Sequence, residues 1–338
     1  MKAKAKGWGD AMHEAARVFG ALLATLILAA PPSQTSAQSY PARTVTIIVP
    51  VAAGGGIDIT ARMLAAELQA ALGRPFVVEN RSGASGNLGT AQVARAAPDG
   101  YTLLFTISGF HTTNPALFTN LQWDPVRDFQ GVAMLLRSYL IAVVNKDSPH
   151  NTLGDLIAYG RANPGKLTYG SPGVGTQTHI GAAWLGQLAN MEVTAVPYRG
   201  SGPAFNDLLT GTLGYFTNVM QQLMGPIQAG AVKALAVASP TREAMLPNVP
   251  TTAEAGLPGL EIDTWYALYA PAGTPKEVVD LLSGEIKKLT ERPDFKAKVV
   301  NSGSSMFYLG PDELNKYTAE QITHWTGIIR KLGIPMQQ

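Results

Sequence analysis

The chain has 338 residues, enough for two domains of ordinary size, and its 46% hydrophobic against 15% charged residues are the balance of a folded globular protein with large cores. The formal net charge is +2, and residues 1–37 account for it: they hold four basic and two acidic residues, leaving 22 of each in the remainder. That neutral remainder has no basic field with which to seek nucleic acid or an acidic membrane, and the lack of cysteine excludes disulfides, thiolate metal sites and a lipid-anchored cysteine.

The first predicted element is a leader. Lys2, Lys4 and Lys6 precede the apolar run Val18–Ala30, which has the length of a signal-peptide core and is too short to span a membrane. Thr35-Ser36-Ala37 resembles a cleavage site, with Gln38 as the new N-terminus; a buried N-terminal helix is the alternative, and Met12 is a second candidate start. Residues 1–37 are therefore read as a signal peptide, and the mature chain as exported, freely soluble and without a membrane span.

Strand and helix patterns then alternate to the C-terminus. Strands are predicted at 44–49, Phe76–Glu79, Tyr101–Ile107, Leu140–Val144, Lys166–Gly170, Val193–Pro197, Val232–Ala238 and Thr264–Ala270. Asp58–Leu72 reads as a helix with Leu64, Leu68 and Leu72 on one face and a stop at Gly73. Thr152 with Asp155 three residues on forms a capping box, and Pro275–Leu289 and Pro311–Leu332 are the longest helices. The alternation argues an α/β architecture with mainly parallel sheets.

Two glycine loops sit between a strand and a helix. The first is Gly54-Gly55-Gly56 before Asp58; the second is Ser171-Pro-Gly173-Val174-Gly175-Thr176 before His179. Glycine lets a ligand approach the backbone closely, and a helix start leaves unpaired N–H groups with a partial positive charge, so each loop suits a carboxylate or phosphate. Each is equally readable alone as an ordinary turn into a capped helix; two of them facing across a cleft would hold a two-ended anion. A third stretch, Gly83-x-x-Gly86-x-x-Gly89, lacks the dinucleotide spacing and reads as a turn with Asn87 capping the next helix.

Catalytic motifs are missing. There is no G-x-x-x-x-G-K-[ST] phosphate loop and no G-x-S-x-G elbow. His13 lies in the leader, and His111, His150, His179 and His324 are scattered without metal-ligand spacing, so neither a metal nor a cofactor is expected. His111, in the polar stretch Ser108–Asn114, reads as an exposed loop residue. His179 lines a ligand loop or caps structure; pairing with Ser171 in a hydrolase is the weaker alternative.

In order and spacing, many short stretches resemble the substrate-binding family of tripartite tricarboxylate transporters, the Bug-type extracytoplasmic receptors. They include Tyr40-Pro-Ala-Arg43, Ala53-Gly-Gly-Gly-Ile-Asp58, Val78-Glu-Asn-Arg81, Pro98-Asp-Gly-Tyr-Thr-Leu-Leu104, Ala162-Asn-Pro-Gly-Lys-Leu167, Val196-Pro-Tyr-Arg-Gly200, Leu246-Pro-Asn-Val-Pro-Thr251 and Ala270-Pro-Ala-Gly-Thr-Pro275. The resemblance spans about Tyr40 to Pro335. It implies a two-domain periplasmic binding protein of type II-like, Venus-flytrap form, with mixed, mainly parallel sheets and helices on both faces. Domain 1 would hold residues 38–140 and 262–338, and domain 2 residues 141–261. It also implies a periplasmic, monomeric, non-enzymatic receptor that captures a small carboxylate, di- or tricarboxylate or aromatic, and delivers it transiently to membrane transporter subunits. A ligand sensor feeding a signalling system is the alternative.

The ligand contacts carried over from the family are Gly54, Gly55, Gly56, Asp58, Ser171, Gly173, Val174, Gly175 and Thr176, with Asp58 equally readable as a helix cap; Ser108, His179, Tyr198 and Asn218 are further candidate contacts, and Arg199 a partner for a distal carboxylate. Phe110, His111, Asn218 and Met220 are expected to set selectivity. Where family members often carry two aspartates, this chain reads Leu213-Gly-Tyr-Phe-Thr217-Asn218. Loss of both acids favours a plain anion over a ligand bearing an ammonium group.

Overall fold

The structure, a computed structural model, describes residues 40–173, 176–198 and 200–337. The leader and Val174, Gly175 and Arg199 lie outside the described residues. Residues 43–338 form one compact unit.

The N-terminal half of that unit opens with β1 (Val45–Val49), α1 (Gly56–Leu72), β2 (Phe76–Asn80), α2 (Asn87–Ala94), β3 (Thr102–Ile107), α3 (Asn114–Leu117) and β4 (Phe129–Asn145). It continues through α4 (Leu153–Ala162), β5 (Leu167–Ser171), α5 (Gln177–Leu188), β6 (Val193–Pro197), α6 (Ser201–Leu209), β7 (Phe216–Val219), α7 (Met220–Gln228) and β8 (Val232–Val237). The chain closes with β9 (Asp263–Pro271), α8 (Lys276–Glu291), α9 (Pro293–Asn301), β10 (Ser305–Leu309) and α10 (Pro311–Lys331).

β1 is apolar except at Thr46 and lies between β2 and β3, parallel to both. β3 then pairs antiparallel with β9, β9 with the first half of β4, and that half with β10, giving the order β10-β4-β9-β3-β1-β2. β5 and β6 form a separate parallel pair. Parallel pairing therefore follows the strand–helix–strand units, and antiparallel pairing gathers along β4 and β9.

β4 changes partners along its 17 residues. Phe129–Tyr139 pairs with β9, whereas Leu140–Asn145 pairs with β7 and β8. Its second half alternates as a strand should. Leu140, Ala142 and Val144 enter one buried cluster with Leu156, Leu185, Tyr215 and Trp325; Ile141 and Val143 enter another with Leu208, Phe216 and Leu223. A third cluster, built on Ile48, Leu104, Phe129, Trp265 and Leu314, packs beneath the large sheet.

The predicted strand at Leu140–Val144 is thus only the end of a longer element, and β7 and β10 carry no prediction at all. The first half of β4 is buried on both faces, so it lacks period-two alternation. Gly131 further masks it: its N–H donates to Asn315 Oδ1 (2.8 Å), and a Cβ there would stand 2.8 Å from that oxygen. The Thr152–Asp155 capping box forms as expected. Asn87 does not cap α2: Gly86 is the cap, at φ 82°, and the Asn87 side chain instead accepts from Asn114 Nδ2 at 2.8 Å.

Candidate functional site

β1 leads into a loop that turns at Gly54, where φ is 91° and a side chain would be strained. The Gly54 N–H donates to Asp58 Oδ2 at 2.9 Å, in the first turn of α1. Asp58 is 3% exposed and also receives Asn80 Nδ2 at 2.9 Å and Arg62 at 3.0 Å. Burial works to raise its pKa, but the Gly54, Arg62 and Asn80 donors outweigh it and hold the carboxyl below the usual range. The carboxylate therefore braces the glycine loop from behind. The first bond within α1 runs from Ile59 N to Gly55 O (3.0 Å), so the N–H groups of Gly56 and Ile57 have no acceptor in the helix.

Three further helices begin nearby. Thr176 caps α5, its Oγ1 accepting from His179 N (3.2 Å) and donating to Gly173 O (2.9 Å). The first α5 bond, Ile180 N to Thr176 O (2.8 Å), leaves Gln177 and Thr178 as open helix-start amides. α6 starts behind Gly200, and α7 behind Val219.

All four starts line one cavity of about 680 Å³, within the usual range for a small-molecule site. They contribute Gly55, Gly56 and Ile57 from α1, Thr176 to Thr178 from α5, Gly200 and Ser201 from α6, and Val219 and Gln222 from α7. Ile107, Phe110, Leu117 and Phe118 supply an apolar wall. Among the described lining residues the only titratable side chain is Tyr266, whose phenol donates to Gln221 Oε1 at 2.8 Å. Among the described lining residues, negative charge in this space meets amide dipoles, not side-chain cations.

Of the sequence-derived residues, Gly55, Gly56, Thr176 and Asn218 line the cavity. Gly54, Asp58, Ser108, Ser171, Gly173, His179 and Tyr198 stand outside its lining. Ser108 Oγ accepts from Gln177 Nε2 (2.8 Å), Ser171 O from Tyr198 N (2.8 Å), and the Tyr198 hydroxyl donates to Asp207 Oδ2 (2.6 Å). Desolvation first, then that hydrogen bond, pushes the Tyr198 phenol up to about 12. Burial lowers the His179 pKa, and its Nδ1 is closed off without a hydrogen-bond partner. Asn218 Nδ2 donates to Gln222 Oε1 (2.7 Å) and its Oδ1 accepts from Val219 N (2.8 Å).

His111 is not an exposed loop residue. It is fully buried in a π-turn, Gly109–Thr113, with its ring centroid 5.6 Å from Trp123, 5.1 Å from Phe129 and 4.2 Å from Tyr269. Burial depresses its pKa to about 3, so the ring is neutral. Met220 is likewise core, packed with Leu223 and Phe216 away from the cavity.

Sequence reasoning missed Gln177 and Gln222. Gln177 Nε2 also donates to Asp263 O (2.9 Å), and its Oε1 accepts from the Thr264 hydroxyl, so this one side chain ties α5 to β9 and to Ser108. The available signal was position: Gln177 is the first residue after a Thr cap. Ser85, which lines the cavity at φ 53°, gave no signal.

This arrangement is an α/β fold of the periplasmic binding-protein class, with a cavity among converging helix starts. The description "Tripartite tricarboxylate transporter family receptor" matches residues 60–334, and the chain belongs to that family. It is similar to protein BugT of Bordetella pertussis, 34% identical with 95% of this chain and 98% of the relative covered. Among solved structures it is similar to an R. palustris protein with adipate, at TM-score 0.81 and 33% identity, covering 88% of this chain and 100% of that one. It is also similar to MatC from Rhodopseudomonas palustris with bound malate, at TM-score 0.75 and 32% identity, covering 86% and 100%.

Proposed function

We propose that this protein is a periplasmic receptor, not an enzyme, that holds a small carboxylate at the starts of α1 and α5 and delivers it to the membrane subunits of a tripartite tricarboxylate-type transporter. The observation that carries the reading is the convergence of four helix starts on an apolar-walled cavity with no charged side chain among its described lining residues. Each helix start favours an anion by about 0.3–1 kcal/mol, and a hydrogen bond to a charged acceptor adds about 1.5–3 kcal/mol. Several such donors suffice for micromolar capture without a cation.

The partner change in β4 supports a division into two lobes, 38–140 with 262–338 and 141–261. β4 and β9 would then be the crossing strands, and closure of the lobes would trap the ligand. With Asn218 in place of an acid, a plain dicarboxylate is favoured over an amino dicarboxylate. A thermal-shift series with mono-, di- and tricarboxylates tests the reading. At a hundred times its Kd, a bound ligand adds about 2.7 kcal/mol to stability, so at least one carboxylate raises Tm by several degrees. If none does while the chain is folded, the reading is wrong.

A further inference from the structure

A second cavity, of about 360 Å³, shares no lining residue with the first. It lies over the strands that change partners: Arg137 and Tyr139 come from β4, Asp263 from the facing end of β9, directly opposite Tyr139, and Glu261 from the segment just before it.

Its charges are of both signs and do not touch one another. No ion pair among the described residues includes Arg137, Asp263 or Glu261. The Arg137 guanidinium is instead held by aromatic faces, 4.0 Å from the Phe307 ring centre and 5.1 Å from that of Tyr139, and its Nε is closed to water without a hydrogen-bond partner. Such stacking fixes the plane of the guanidinium and leaves its Nη donors for a planar acceptor. Asp263 is shielded enough that burial raises its carboxyl to about 6. Leaving separated charges poorly solvated is costly, and one molecule bearing both complementary groups would offset both at once.

We infer that this second cavity binds a small zwitterion, a carboxylate joined to an ammonium group, with Arg137 taking the acid end and Asp263 and Glu261 the amine. One cation against two acids disfavours a simple carboxylate, the opposite preference to the first cavity. The site is also wired to the first: Asp263 O accepts from Gln177 Nε2, and Gln177 lines the first cavity. A zwitterion seated here touches both β4 and β9, the strands on which lobe movement would depend.

Trp184 and Trp325 line this cavity and no tryptophan lines the first, so intrinsic fluorescence reports on it. The probes are glycine, β-alanine, γ-aminobutyrate and 5-aminovalerate, which differ only in the separation of the two charges, with butyrate and butylamine as singly charged controls. At least one zwitterion is expected to give a saturable change with an affinity about tenfold or more above both controls. R137M and, independently, D263N should weaken it about tenfold or more, whereas Gly55→Ala in the first cavity should leave it unchanged. The inference is overturned if no zwitterion saturates below about 10 mM, if both variants bind like the parent, or if Gly55→Ala abolishes the response.

Discussion

Asp58 has one carboxylate and three donors, so its replacement separates support from contact. Asp58→Ala leaves the Gly54 N–H and the Asn80 amide without their acceptor. The expected loss is about 1–3 kcal/mol in urea denaturation, discounted toward the lower end because Arg62 is half exposed. His111 has a pH signature. Its folded pKa, about 3, lies below the ordinary 6.5, so the unfolded chain takes up a proton first as pH falls. Its contribution to stability is therefore complete above about 6.5, declines by up to about 1.4 kcal/mol per pH unit toward 3, and is flat below that. His111→Phe, which keeps the aromatic packing, should lack this decline when the two denaturation profiles are subtracted. The burial of His111 was illegible because its neighbours are hydroxylic, yet Thr112 and Thr113 satisfy their own hydroxyls on the carbonyls of Ser108 and Gly109. A polar stretch that closes its hydrogen bonds locally can be core, and nothing in its composition says so.

The start of α1 carries the anion argument, and Gly55 tests it. Its φ of −79° suits any residue, and a Cβ there meets nothing within 4 Å. Gly55→Ala should cost no more than about 1 kcal/mol of stability, the usual penalty for Ala at a helix cap. By crowding the amides it should weaken a carboxylate that binds the parent by about tenfold or more in calorimetry; unchanged affinity would move the ligand away from α1. Elements with a local signature were legible: the apolar run of β1, the Gly73 stop of α1, the capping box of α4. β4 was half legible, because the strand's first half lies buried on both faces and its register against β9 shifts between Gly131 and Ala133. Gln177 was illegible as a tie between α5 and β9, since its partners Ser108, Asp263 and Thr264 are remote in sequence.

At the scale of the whole molecule, the starts of α1 and α5 could be read from the sequence and their meeting around one cavity could not. The meeting depends on β4 and β9, whose long register from Phe129–Pro271 to Tyr139–Asp263 gathers α1, α5, α6 and α7 around one space. Gly56 and Gln221 show how tight it is, since a Cβ on Gly56 would stand 2.7 Å from Gln221 Oε1. The most direct measurement is a crystal structure of the protein with a carboxylate chosen by thermal shift. The expected result is a carboxylate oxygen about 3 Å from the amide nitrogens of Gly56 or Ile57, with its partner group facing Thr178. A carboxylate bound elsewhere, with those amides left to water, would contradict the account.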